Sequence, residues 1–101
     1  MNAEWFKEHV CEELDGAEEY IRLAIEIKPM NADWSKELVG MSAAELDHAG
    51  RVWKMFDQYY KIMAGAYKVV PEYIEDDYKC VAGMYDKRVA EIKHMHEMYS
   101  K

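Results

Sequence analysis

The sequence predicts an all-α fold, a three-helix up-down-up bundle that forms a single domain over residues 1–101. Proline occurs only twice, at Pro29 and Pro71, and glycine only five times, so the chain divides into three long segments. Within each segment, apolar residues recur at the three- and four-residue spacing of an amphipathic helix. The strict alternation of apolar and polar residues that is typical of strands has little support.

Capping residues and prolines set the expected limits of the three helices. We expect Asn2 to cap a first helix that ends just before Pro29, because proline disfavours a helical conformation in the preceding residue. After a tight turn, Asn31 should cap a second helix that ends near Gly65. Pro71 is suited to the first position of a third helix, which should occupy most of the remaining sequence.

The acidic composition narrows the classes of partner. The chain has 20 acidic against 13 basic residues, a net charge of -7 and a pI near 5.0. Nucleic acids and anionic membrane surfaces would repel such a protein, so we expect metal cations as partners, with no nucleic acid and no membrane. The sequence shows neither a signal peptide nor an apolar run long enough for a membrane span, which favours a cytoplasmic protein.

Two cysteines, Cys11 and Cys80, are far apart in the sequence, and neither belongs to a CxxC pair. This arrangement indicates neither a thiolate zinc site nor a disulfide framework. We therefore expect both cysteines to be buried thiols in the core.

Two glutamates, Glu13 and Glu45, are expected on the apolar faces of the first two helices. With residues placed about 100° apart around an ideal helix, each lies at the middle of its helix's apolar stripe. The stripes comprise Phe6, Val10, Ala17, Tyr20, Ala24 and Ile27 on the first helix, and Trp34, Leu38, Met41, Ala49, Val52, Phe56 and Met63 on the second.

His48 follows Glu45 by about one turn, on the flank of the same stripe. The turn between the two helices places Glu13, Glu45 and His48 at one level, facing one another. Buried carboxylates are costly unless a cation offsets their charge. Two carboxylates and an imidazole therefore predict a site for iron, manganese or zinc, which accept mixed oxygen and nitrogen ligands.

The segments ELDGAEEY and ELDH resemble the ferritin-like di-iron carboxylate proteins, which include bacterioferritin, rubrerythrin and the short encapsulated ferritins. In that family the first helix carries a ligand glutamate followed seven residues later by a tyrosine, and the second carries Glu-x-x-His. The matching residues here are Glu13 and Tyr20, then Glu45 and His48, within residues 6–62.

The resemblance implies a role for each matched residue. Glu13 would be a terminal or bridging ligand, Glu45 the bridging carboxylate and His48 the imidazole ligand, with Tyr20 donating a hydrogen bond behind them. It also implies two iron ions per site, or manganese or zinc in their place. The activity implied is that of a ferroxidase or a peroxide-reducing oxidoreductase.

The second half of the sequence departs from the family's four-helix plan, since only one further helix remains. That helix contains EIKH, from Glu91 to His94, but its apolar stripe is centred about 80° from Glu91 and leaves His94 outside. A di-metal site is completed either by these two residues or by a second copy that brings its own Glu13, Glu45 and His48. We favour a homodimer or higher homo-oligomer, because two-fold dimers are the commonest symmetric assemblies.

Other interpretations of the same residues stay open. The two glutamates would instead reach solvent, or pair with a basic residue such as Arg88. The bundle would then be a non-enzymatic interaction or assembly protein without metal. A third interpretation is a single-metal or haem site that uses His9 and His48, although the sequence has no CxxCH segment for covalent haem.

Overall fold

The computed structural model describes residues 2–66 and 69–101, which form three helices: α1 (Ala3–Ile27), α2 (Ala32–Ala66) and α3 (Glu72–Ser100). The described residues contain no strand, so the predicted all-α class is confirmed, and each helix ends within one or two residues of its expected limit. The bundle is 56 Å long. None of these three helices has the length and apolar character needed to cross a bilayer.

Two asparagine side chains begin the first two helices, as predicted. Asn2 Oδ1 accepts a hydrogen bond of 2.9 Å from the Trp5 N–H, and Asn31 Oδ1 accepts one of 3.0 Å from the Trp34 N–H. Each bond satisfies an N–H group that the first helical turn leaves free. Helix α3 begins one residue later than expected, and Pro71 takes the cap position before it.

Two hydrogen bonds between α2 and α3 define the relative direction of the helices. Ser42 lies level with His96, at 2.9 Å between Oγ and Nε2, and Asp57 lies level with Tyr78, at 2.6 Å between Oδ1 and the hydroxyl. Residues later in α2 therefore contact residues earlier in α3. The two helices are antiparallel and α3 runs parallel to α1, which is the predicted up-down-up arrangement.

The hydrophobic core lies along one flank of the α1–α2 hairpin, where α3 covers it. Phe6 and Phe56 stack within it, near the N-terminal end of α1, with ring centroids 5.2 Å apart. Burial of each large side chain stabilises the fold by roughly 1.5–3 kcal/mol. The buried apolar residues are Ala3, Phe6, Val10, Leu14, Ala17, Ile21 and Ala24 on α1, Ala49 and Phe56 on α2, and Ile74, Val81 and Ile92 on α3.

The buried stripes of α1 and α2 are rotated from their predicted positions. Trp34 and Met41, which the sequence places inward, are 64% and 43% exposed. The most buried row of each helix lies about 50° around the helix from Glu13 or Glu45. The prediction that these glutamates lie at the middle of the buried stripes is wrong, because α3 covers only one flank of the hairpin. Both lie at the edge of the core.

Two buried serines of α2 connect all three helices. Ser35 Oγ and Ser42 Oγ each donate a hydrogen bond of 2.6 Å to a main-chain carbonyl of α1, at Ala24 and Ala17. On the other side, the Tyr99 hydroxyl lies 3.0 Å from Ser35 Oγ and His96 Nε2 lies 2.9 Å from Ser42 Oγ. Because buried hydroxyl groups are costly without partners, these bonds fix the register of the helices. Burial lowers the pKa of His96, which favours the neutral ring at this junction.

Tyr78 provides a test of the α2–α3 interface. Its hydroxyl donates a hydrogen bond of 2.6 Å to Asp57, and its ring stacks on Tyr60 with centroids 3.9 Å apart. Tyr78→Phe keeps the ring and removes a hydrogen bond to a charged acceptor. We expect the free energy of unfolding, measured by urea denaturation, to fall by about 1–2 kcal/mol.

The pH dependence of the same variant gives a second measurement. The hydrogen bond to Asp57, together with burial, raises the pKa of Tyr78 to about 12 from an ordinary value of 10.0. The stabilisation from this group is therefore complete below pH 10 and is lost as the pH rises towards 12, and this loss should be smaller in Tyr78→Phe. Tyr73→Phe is the matched control, because Tyr73 is 62% exposed, and should change stability by less than about 0.5 kcal/mol. Equal effects of the two variants would contradict the assignment.

Candidate metal centre

One group of side chains on the hairpin has the composition of a metal site. Glu13 of α1 and Glu45 and His48 of α2 each offer a ligand atom, and these atoms all lie within 4.8 Å of one another. His48 Nδ1 is 3.7 Å from Glu13 Oε2. The structure thus brings together the three side chains that the turn geometry places at one level.

The cluster lies between the core and solvent, on the flank of the hairpin that α3 leaves uncovered. The Glu13 side chain is 24% exposed, the His48 side chain is 56% exposed, and Glu45 is half-buried. A ligand from solvent or from another chain can therefore reach the imidazole, while the carboxylates are held against the two helices.

The electrostatics of the two carboxylates favour the binding of a proton or a cation between them. Glu13 Oε2 is shielded from solvent and has no hydrogen-bond partner among the described residues. When both groups are ionised they only accept hydrogen bonds, so neither supplies a proton to the other. The pKa of Glu45 is raised because its proton can be shared with Glu13, because the group is partly buried, and because Glu13 is negatively charged. A proton or a cation between the carboxylates relieves this repulsion.

Gly16 is a contributor to the site that the sequence did not reveal. A Cβ atom at this position would lie 3.2 Å from Glu45 Oε2, so the missing side chain lets that carboxylate approach α1 closely. Glycine in a helix interior costs about 1 kcal/mol relative to alanine, and its presence three residues after Glu13 was the available signal. The signal is not specific, because Gly40 is also within a helix and has nothing within 4 Å of its Cβ position.

The remaining residues that the family resemblance suggests lie elsewhere. Glu91 and His94 are exposed on α3, and His94 Nδ1 is 3.8 Å from Glu97 Oε2 on the same helix. The structure does not bring them to the cluster. Tyr20 is half-buried on α1, seven residues after Glu13.

Arg88 and His9, the two other residues considered as partners or ligands in this region, interact with other groups. Arg88 Nη1 lies 2.8 Å from Asp15 Oδ1, so the alternative in which Arg88 neutralises the two glutamates is wrong. His9 Nδ1 is 2.9 Å from the Trp5 carbonyl oxygen, and its ring stacks on the indole with centroids 4.1 Å apart. These local contacts account for His9 without a metal or haem.

The donor set of the cluster fits a transition-metal ion. Carboxylate oxygen and imidazole nitrogen suit iron, manganese and zinc, whereas calcium and magnesium prefer oxygen alone. Three ligand atoms leave at least one further coordination position to be filled. Comparison of the chain with protein-family models, with curated proteins and with solved structures found no match.

Glu45→Gln tests the repulsion within the cluster. The glutamine amide keeps the shape of the side chain, removes a negative charge and can donate a hydrogen bond to Glu13. With a chelator present at neutral pH, we expect the free energy of unfolding to rise by about 1 kcal/mol. Glu37→Gln, at an exposed position of the same helix, is the matched control and should have almost no effect.

The pH dependence of stability should also differ between the wild type and Glu45→Gln. Because the pKa of Glu45 is raised in the folded state above its ordinary value of 4.5, the stabilisation from this group is complete below pH 4.5. It is lost as the pH rises through the folded-state pKa, and Glu45→Gln should lack this loss. A metal-free variant that is less stable than the wild type at neutral pH would show that the two carboxylates do not repel each other.

Proposed function

We propose that this chain is a ferritin-like metal-binding protein in which Glu13, Glu45 and His48 bind a transition-metal ion, iron in the first place. The observation that carries the proposal is the cluster itself: two carboxylates and an imidazole within 4.8 Å, with the shielded Glu13 Oε2 unpartnered among the described residues. Such a carboxylate is costly in a protein unless a cation or a proton neutralises it.

A second copy of the chain would complete the site. Three ligand atoms are fewer than iron or manganese usually take, and Glu91 and His94 face solvent on α3. Around a two-fold axis, each α1 would bring Glu13 and each α2 would bring Glu45 and His48. The sum is four carboxylates and two imidazoles, the donor set from which ferritin-like bundles build a two-metal centre.

The uncovered flank of the hairpin has the pattern of a helix-packing surface. Residues seven apart along α2 form a row that contains His48 and four large apolar side chains. We call this row the outer row; it comprises Trp34, Met41, His48, Met55 and Ile62, all exposed. On α1, the exposed Leu23 follows Gly16 at the same spacing, and the exposed Met30 continues it in the turn after α1. Apolar rows with a seven-residue repeat pack against partner helices, so two hairpins would form a four-helix bundle around the cluster.

The residues of the chain would have distinct tasks in such a centre. The carboxylates of Glu13 and Glu45 would hold the ions close together, and His48 would fix one coordination position on each. The outer row would exclude water from both sides of the cluster. These residues would hold two iron ions, and the chemistry that the ions would supply is the reduction of dioxygen or of a peroxide, which is the oxidoreductase activity we propose.

Metal analysis tests the centre directly. Metal-free protein is incubated anaerobically with Fe(II), or with Mn(II) or Zn(II), and bound metal is measured after desalting. A centre shared by two chains should bind about one ion per chain, whereas a centre completed by α3 should bind about two. Glu45→Ala should weaken binding by more than about 100-fold, because it removes a ligand to the ion.

The matched control is the double variant Glu91→Ala with His94→Ala. It alters another Glu-x-x-His segment on an exposed face and should bind metal like the wild type. A wild-type protein that binds none of the three ions at neutral pH would remove the proposed function. Loss of binding in the double variant would show instead that α3 completes the site.

The mass of the protein in solution tests the shared interface. Met41→Glu places a charge in the outer row, one turn before Glu45, and should weaken the dimer by at least about 100-fold, because the new carboxylate would be buried without a partner. Met98→Glu on α3 is the matched control, since Met98 is 55% exposed outside the outer row. Sedimentation equilibrium measures both. If Met41→Glu remains as dimeric as the wild type, the outer row is not the interface.

The outer row also favours a second candidate function, a helical assembly protein that dimerises without metal. The two functions differ in their response to a chelator. The metal-binding protein should lose thermal stability, and part of its dimer, when the chelator is added. The assembly protein should keep both.

A further inference from the structure

Neither cysteine belongs to the core. Cys80 is exposed and Cys11 is only half-buried, so the expectation that both are buried thiols is wrong. They lie on α1 and α3, at the interface of two parallel helices. Their neighbours in sequence, Val10 and Val81, are fully buried, which places each cysteine at the margin of the same interface.

Two ion pairs between α1 and α3 fix the relative height of the cysteines. Lys7 Nζ lies 3.5 Å from Asp77 Oδ1, and Arg88 Nη1 lies 2.8 Å from Asp15 Oδ1. Cys11 lies midway between Lys7 and Asp15 along α1. Interpolation between the two ion pairs therefore places it level with residues 81–83 of α3, within about one turn of Cys80.

The spacing of packed helices suits a disulfide at this level. Helix axes lie about 8–10 Å apart, and Cα atoms lie about 2.3 Å from each axis, so directly facing Cα atoms approach to about 3.4–5.4 Å. Disulfides join cysteines whose Cα atoms are about 4.4–6.8 Å apart. The separation of two packed helices is therefore in the range that a disulfide can span.

Lys7 adds a positive charge beside the two sulfur atoms. The negative charge of a Cys80 thiolate is the largest of the interactions that raise the pKa of Lys7, ahead of Asp77, and Cys11 contributes as well. Both cysteines therefore lie within electrostatic reach of one side chain of α1, which agrees with the level inferred from the ion pairs.

We propose that Cys11 and Cys80 are a redox-active dithiol that forms a reversible disulfide between α1 and α3 by exchange with a low-molecular-weight disulfide such as oxidised glutathione. The exposed Cys80 thiolate attacks one sulfur of glutathione disulfide, which gives a mixed disulfide and releases one glutathione. Cys11 then attacks the Cys80 sulfur and releases the second. The protein loses two electrons, glutathione disulfide gains them, and the two thiol protons end on the two glutathiones.

The experiment uses the full chain, reduced, desalted and kept with a chelator so that its outcome is independent of metal binding. The protein is incubated with oxidised glutathione, and thiols, intact mass and mobility in a non-reducing gel are followed. We expect wild type to lose both thiols, to become lighter by two hydrogens as a single chain, and to carry no glutathione. Cys11→Ser should instead accumulate a stable glutathione adduct on Cys80.

A control in urea shows whether the fold brings the sulfur atoms together. In urea, ring closure should be at least about ten-fold slower than in the folded protein, because the thiols are then separated by a long flexible chain. The proposal is overturned if wild type keeps both thiols, accumulates the adduct, forms mainly a covalent two-chain product, or closes no faster when folded.

Discussion

The α1–α2 hairpin has more apolar surface than α3 covers, and the rest of the structure follows from this mismatch. One flank is sealed by α3 and contains the stacked Phe6 and Phe56. The other flank leaves Trp34 and Ile62 open to solvent. The carboxylate cluster lies at the boundary of the two flanks, where side chains are held by the helices but remain accessible from outside. The position of the proposed centre is thus a consequence of having one helix too few for a closed four-helix bundle.

The cluster opposes the stability of the isolated chain. Among the described residues, Glu13 and Glu45 face each other with only the exposed His48 imidazole beside them, and Arg88 is engaged with Asp15 on the opposite side of α1. Gly16 adds to this cost, since alanine would favour the helix but would crowd the Glu45 carboxylate. Residues that destabilise a fold locally and have no compensating partner are typical of functional sites. A metal ion is the compensation that we propose.

Local features of the fold were predictable from the sequence, and features that depend on a neighbour were not. Asn2 and Asn31 cap their helices through contacts within one turn, so the limits of α1 and α2 follow from the residues themselves. The shared height of Glu13 and Glu45 along the hairpin follows from the short turn that joins their helices. The direction in which each helix is buried does not follow from the sequence, because Trp34 is apolar whether or not a third helix covers it. The sequence likewise does not reveal which side chain approaches Gly16.

The buried Ser42 connects the proposed ligands to the geometry of the core. Ser42 precedes Glu45 by three residues on the same helix, and its hydroxyl is tied to α1 at Ala17, four residues after Glu13. A single residue inserted between Ser42 and Glu45 would turn the ligand face by about 100° while the hydroxyl stayed anchored. In divergent descendants of this chain, length changes should accumulate in the interhelical turns, and the interval from Ser42 to His48 should keep its length even where its composition drifts.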